Sequence, residues 1–299
     1  MPNRRPRGYQ PQWKPRARTR ELLAAVDRIL DRYAVQLPLT IRQVWYSLIS
    51  DGVLVKEERT YKQTVELLGM ARRSGRIPWE ALRDDTEIRA EPVAYEGPDD
   101  FRAGLRRAAL EYRLDRQAGQ PVRLEIVCET AGMVPQLVAV ADPYGVPVGS
   151  GSGFNALPAK RGAALRAAAD GYRAVRVFVV SDWDPSGVHL FSALAEDVTA
   201  FAAVDAPGTE VVFERLAVTE QQIAEHQLPT APPKASDRRS FSGISTTQTE
   251  ALPPDVLADV LKAAIVSHRD MHVLAALLER EEEERRRLLQ NLGFDPDAA

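Results

Sequence analysis

Cysteine is almost missing from this chain of 299 residues, and Cys128 stands alone. An intramolecular disulfide is therefore excluded, and a reducing, cytosolic setting is the default. Histidine is scarce too. None of His189, His226, His268 and His272 is marked out as the partner that would make Cys128 a nucleophile. No apolar run approaches the roughly 20 residues that span a bilayer, so no membrane association is expected. Acid is missing from the first twenty residues, which carry seven Arg and Lys side chains. Against a net charge of −3 for the whole chain, that leaves −10 for the remainder. No apolar h-region follows this basic start, so it does not read as a secretory signal.

What is present is an ordinary globular composition, 44% hydrophobic and 27% charged, long enough for two compact domains with tails. Residues 1–18 read as a basic disordered arm, either able to follow phosphates or simply a solubilising tail. Leu22, Leu23, Val26, Ile29, Leu30 and Tyr33 recur at helical spacing, predicting a helix from Thr19 to about Val35. Thr40 with Gln43 forms a capping box that opens a second helix, ending before Asp51-Gly52. A third covers about Thr60 to Ser74, with Gly75 as its terminator. Three helices with short turns over residues 19–90 suggest a helix-turn-helix or winged-helix-like DNA-binding domain. Arg72, Arg73 and Arg76 at the end of the third helix are candidate phosphate contacts, or simply a solvated helix end.

A linker and a helix reaching about Gln117 fill residues 91–118. The rhythm then changes. Strands at Val122–Cys128, Val175–Val180 and Val211–Phe213 alternate with helices near 135–141, 159–170 and 188–203, predicting a parallel α/β sheet over residues 119–228. A long loop follows, then one helical segment from Pro254 to about Leu289. Its Glu281–Arg287 run reads as a solvated face.

The sharpest local signal is Asp182-Trp-Asp184-Pro-Ser-Gly187 directly after an apolar strand, with Glu129 at the matching place after the first strand. Ligands of open parallel sheets bind beyond the carboxyl ends of the strands. Three carboxylates converging there repel one another unless a cation intervenes, and hard oxygen donors favour magnesium. The plainer alternative is that these acids cap the helices that follow them. Lys160 and Arg161, after the glycine-bearing Gly149–Gly153 segment, are candidate phosphate contacts or ordinary exposed helix residues.

In the second helix, Ile41, Val44, Trp45 and Leu48 form the apolar stripe. Tyr46 falls on the opposite, polar side, beside Arg42 one turn earlier, either as a candidate nucleophile with a phosphate-binding companion or as a tyrosine that simply packs against the neighbouring domain. A phenol is only about one part in a thousand ionised at neutral pH, so a nucleophilic role needs a neighbouring group that favours the phenolate.

Glu129, the glycine segment and the DWDPSG motif together resemble a Toprim domain, the α/β module shared by topoisomerases, bacterial-type primases and several nucleases. The DPSG form resembles the A subunit of DNA topoisomerase VI and its relative, the meiotic double-strand-break transesterase. Thr40-Ile-Arg42-Gln-Val-Trp-Tyr46 is similar to the R-x-x-Y-Y or R-x-x-F-Y segment of that family, with Trp45 where Tyr or Phe is usual. The resemblance covers about residues 37–265. It implies a helical winged-helix-like domain, a Toprim domain with a Rossmann-like parallel sheet, and a C-terminal helical region over 229–299. It also implies magnesium held by Glu129, Asp182 and Asp184, with Tyr46 attacking DNA, assisted by Arg42 and with Glu129 as a further catalytic group. A homodimer presenting Tyr46 to the partner's metal site, a GHKL-type ATPase subunit as a partner to look for, and a nucleoid-associated location follow from the same likeness. Two other readings stand beside it: a Toprim nuclease using metal-activated water, and a DNA-binding or assembly subunit without turnover. A phosphatase of the haloacid-dehalogenase type, which also sets DxD after a strand, is the competing enzyme.

Overall fold

The computed structural model describes residues 10–83, 92, 94–150, 157–169, 174–233 and 239–296. It shows N-terminal helices, a central parallel sheet and C-terminal helices.

Helices α1 (Ala17–Arg32), α2 (Ile41–Ser50) and α3 (Glu58–Arg73) enclose a core that includes Val26, Ile29, Val44, Leu48, Leu68 and Ile77. The start of α2 is set by the capping box read from the sequence. Thr40 Oγ1 accepts from Gln43 N at 3.1 Å, and Thr40 N donates to Gln43 Oε1 at 2.8 Å. Gly75 follows α3 at φ +73°, the left-handed conformation that a terminating glycine adopts without a Cβ penalty. Strands β1 (Leu39–Thr40) and β2 (Leu82–Arg83) form a two-residue parallel pair. The second half of the basic arm is held in place: Gln10 N donates to the Arg73 carbonyl at 2.7 Å, and Trp13 packs on the helical core.

Helix α4 (Pro98–Leu110) is shorter than its composition suggested. Strands β3 (Arg123–Cys128), β4 (Val148–Ser150), β5 (Ala174–Val180) and β6 (Glu210–Ala217) then build a four-stranded, all-parallel sheet in the order β4-β3-β5-β6. Strand β4 has too little apolar character to be read from sequence. The period-two alternation of side chains assigns the faces. Leu124, Ile126, Cys128, Phe178 and Val180 meet α5 (Val134–Ala141) and α9 (Pro254–Ser267). Val127, Val175, Val177 and Val179 meet α6 (Leu157–Ala169) and α7 (Pro185–Asp205).

By length and composition α7 is able to cross a membrane, the one such helix among the described residues. It is no unbroken apolar run, since His189, Glu196, Asp197 and Asp205 interrupt it. In the fold its Leu194, Val198 and Ala202 pack on the sheet. After α8 (Glu220–Glu225), which carries its own Thr219/Gln222 capping box, the C-terminal segment is two helices rather than one. Asp270 accepts from His272 N and Val273 N and so restarts the chain as α10 (Met271–Asn291). Glu281 corrects the reading of a solvated charge run. It is buried and accepts from Arg116, Arg285 and Leu114 N, clamping α10 to the segment that leads into β3.

Candidate active site at the carboxyl edge of the sheet

Cys128 and Val180 are register partners at the ends of β3 and β5. Glu129 and Asp182 therefore leave the sheet at the same edge. Glu129 N donates to the Val180 carbonyl at 2.8 Å, and Asp182 N donates to Glu129 Oε2 at 3.1 Å. Asp182 Oδ1 accepts from both Thr249 N and Thr249 Oγ1 at 2.9 Å. Asp184 is the N-cap of α7, its Oδ1 accepting from Gly187 N at 2.7 Å. The plain capping alternative thus holds for Asp184. Gly187 is needed for closeness: a Cβ there would run into the Asp182 carbonyl and stand 3.2 Å from Glu129 Oε2.

The three acids share one edge, but their carboxylates are not already arranged around a common point. Among the described residues, no group of three or more His, Cys, Asp and Glu side chains stands in a metal-holding arrangement. One oxygen of each candidate ligand is engaged by protein donors, and the other accepts no hydrogen bond among the described residues. Burial pushes the Glu129 carboxyl up, with the Asp182 charge adding to it. Burial also raises Asp182, against the pull of its Thr249 bonds. The neighbouring cation, Arg215 on β6, gives its hydrogens to the carbonyls of Ser181, Asp182 and Gly187 rather than to carboxylates. The donor set is therefore hard oxygen, negatively charged and short of counter-charge, and this chemistry fits a divalent cation such as magnesium.

Tyr46 does lie opposite the Val44–Leu48 stripe, but that side of α2 is not polar. The residue is 1% exposed and forms a small cluster with Trp45 and Ala251. Trp45 belongs to this second face too, with its Nε1 donating to Thr60 Oγ1 at 3.1 Å. What covers the tyrosine is the segment 246–252, expected from composition to be loop. It bridges antiparallel to Ala231 and Trp183, and its single 3₁₀ turn, Thr249–Ala251, sits on α2. Tyr46 Oη donates to Gln248 Oε1 at 2.9 Å. Burial and the Glu250 charge raise the phenol's pKa, and Arg42 opposes them. Arg42 itself is half-buried with its guanidinium 5.3 Å from the Tyr61 ring centroid.

Residues not foreseen as functional complete the neighbourhood. Glu250 is 4% exposed, and its Oε2 has no hydrogen-bond partner. Burial, with Asp182 adding repulsion, takes its carboxyl to about 7. Lys56 lies over the Tyr46 ring. No local signal in the sequence marked Arg215, which follows Glu214 in a strand of intermediate burial, and none marked Gln248 or Thr249.

The basic candidates fare differently. Arg72 donates to the carbonyls of Trp79 and Leu82 and stacks over Trp79, fastening the segment after α3. Arg73 lends its carbonyl to Gln10, and Arg76 is exposed. Lys160 is buried and bound to Asp197 at 2.5 Å and to the Ala193 carbonyl at 3.2 Å, which corrects the alternative of an ordinary exposed helix residue. Arg161 is exposed and pairs with Asp205 at 3.3 Å. Residues 151–153 of the glycine segment lie outside the described residues; Gly149 and Ser150 end β4. Cys128 is buried, its thiol pushed up to about 12, as an inert strand residue requires. Comparison with models of protein families, with curated proteins and with solved structures gave no match.

Proposed function

We propose that the chain is a magnesium-dependent DNA-cleaving transesterase resembling the topoisomerase VI A subunit, built from a winged-helix-like and a Toprim-like domain. One observation carries this reading. Adjacent residues of a single segment tie the two halves of the site together, Gln248 holding the Tyr46 hydroxyl and Thr249 the Asp182 carboxylate. On this reading Tyr46 and the acids of one chain form one site, in place of the trans arrangement that the family likeness implies, and a homodimer would supply one such site per strand.

Glu129, Asp182 and Asp184 would hold the magnesium, which supplies neutralisation of phosphate charge when bound. The chain's own residues do the rest. Tyr46 Oη leaves Gln248 and loses its proton to solvent, and Arg42 favours the developing phenolate. The Oη–P bond forms as the P–O3′ bond breaks, and the departing 3′ oxygen takes a proton from solvent to become a free hydroxyl. Trapping the protein covalently on end-labelled DNA tests the reading: the adduct forms with Tyr46 and is lost in Tyr46→Phe and Asp182→Ala.

The burial of Tyr46 favours a second reading, a nuclease in which water attacks at the acidic edge and the tyrosine only packs. It requires Tyr46→Phe to keep cleaving while Asp182→Ala stops. A chain that binds DNA with a steep salt slope yet is indifferent to all three carboxylates would be a non-catalytic subunit.

A further inference from the structure

Two half-buried cations flank Tyr46, and neither makes an ion pair among the described residues. Arg42 precedes it by one helical turn and spends its guanidinium on the Tyr61 ring. Lys56, in the connection between α2 and α3, places Nζ 5.4 Å from the Tyr46 ring centroid. Among the described residues its one hydrogen bond runs to the Pro229 carbonyl at 3.1 Å. An ammonium has three donors, so two are left for another acceptor. Burial pulls Lys56 below the ordinary lysine range while the Asp182 charge pulls it back, so its head lies within the field of the acidic edge. Arg42 feels the Glu250 charge as Lys56 feels that of Asp182, but neither is in ion-pair contact, so both keep donors for an arriving phosphate once magnesium offsets the acids.

We propose that Lys56 is a phosphate-binding residue, which with Arg42 holds the non-bridging oxygens of a DNA phosphodiester beside Tyr46. On the tyrosine reading above, the same contact aligns phosphorus with Tyr46 Oη; the binding step itself does not need Tyr46 to be the nucleophile. When phosphate binds, the lysine's free donors engage the non-bridging oxygens, and the Pro229 bond is retained or exchanged. No covalent change occurs at Lys56.

The test uses the full chain carrying Tyr46→Phe, with a short fluorescein-labelled duplex as probe and anisotropy titrations at several salt concentrations. Lys56→Met and Lys56→Gln should each raise Kd about fivefold and reduce the salt slope by about one released ion, while Lys56→Arg keeps the parental slope. Lys56→Gln retains a donor for Pro229, so a purely fastening role predicts parental binding there, and that result overturns the proposal. If Lys56→Met fails to fold by circular dichroism, the Gln and Arg variants decide alone. In the chain with Tyr46 intact, Lys56→Met should also slow adduct formation at saturating DNA. Absence of any adduct in that chain would sink the tyrosine reading and leave the Lys56 salt slope to be judged separately.

Discussion

The Tyr46 hydroxyl donates to Gln248 Oε1 at 2.9 Å, so the candidate nucleophile is held by the residue next to the one that holds Asp182. Any attack by Tyr46 must break this bond and shift the segment 246–252. Gln248→Ala should therefore expose the phenol. Tetranitromethane modification of Tyr46, followed by mass spectrometry, should be several-fold faster than in the parent chain. Unchanged protection would mean that packing by Trp45 and Ala251, not the hydrogen bond, keeps the ring in.

Glu250 makes stability depend on pH with a definite sign. A carboxyl whose folded value is raised to about 7 stabilises the fold while protonated, and loses that contribution as pH rises from the ordinary carboxylate range through about 7. At about 1.4 kcal/mol per tenfold change in proton affinity, the full effect is roughly 3 kcal/mol. In metal-free buffer Glu250→Gln should be more stable than the parent at pH 8, and the two should converge below about pH 5, measured by urea unfolding.

Magnesium should act on the same balance from the other side. Added at pH 8, it should raise the parent Tm by neutralising the raised carboxylates, because a ligand that binds only the folded state stabilises it. Asp182→Asn keeps the oxygen that Thr249 binds but removes the charge, and should abolish the magnesium-dependent rise without lowering the metal-free Tm. Equal rises in both proteins would place the ion elsewhere.

Gly187 and Asp184 separate fold from chemistry at this edge. Gly187→Ala forces a methyl against the Asp182 carbonyl and should cost about 2–3 kcal/mol by overpacking. Asp184→Ala removes a helix cap worth about 1 kcal/mol. Asp184→Asn retains a capping oxygen, so loss of DNA cleavage with an unchanged Tm in that variant would assign Asp184 a role beyond capping.

Arg72 should prove structural. Arg72→Met loses charge-assisted bonds to two carbonyls and should destabilise the chain by about 2–3 kcal/mol. Its Kd for duplex DNA, measured below the melting range, should match the parent.

Local rules written into the sequence determined a good part of this molecule. The capping box at Thr40/Gln43, the period-two strands β3 and β5, and the turn at Gly75 depend on neighbours a few residues away, so they are legible in order along the chain. The same holds for Glu129 and Asp182 sharing an edge, since both immediately follow strands and the edge of a parallel sheet is common to all its strand ends. Tertiary structure decided the rest, because burial and pairing depend on residues far apart in the chain. It covered the side of α2 expected to be polar with residues two hundred positions later, turned Lys160 to Asp197, and drew Glu281 into a buried clamp. It also brought Gln248, Thr249 and Glu250 onto the site from a stretch whose composition reads as loop. A helical wheel gives the direction in which Tyr46 points, and only the packed chain supplies what it meets there.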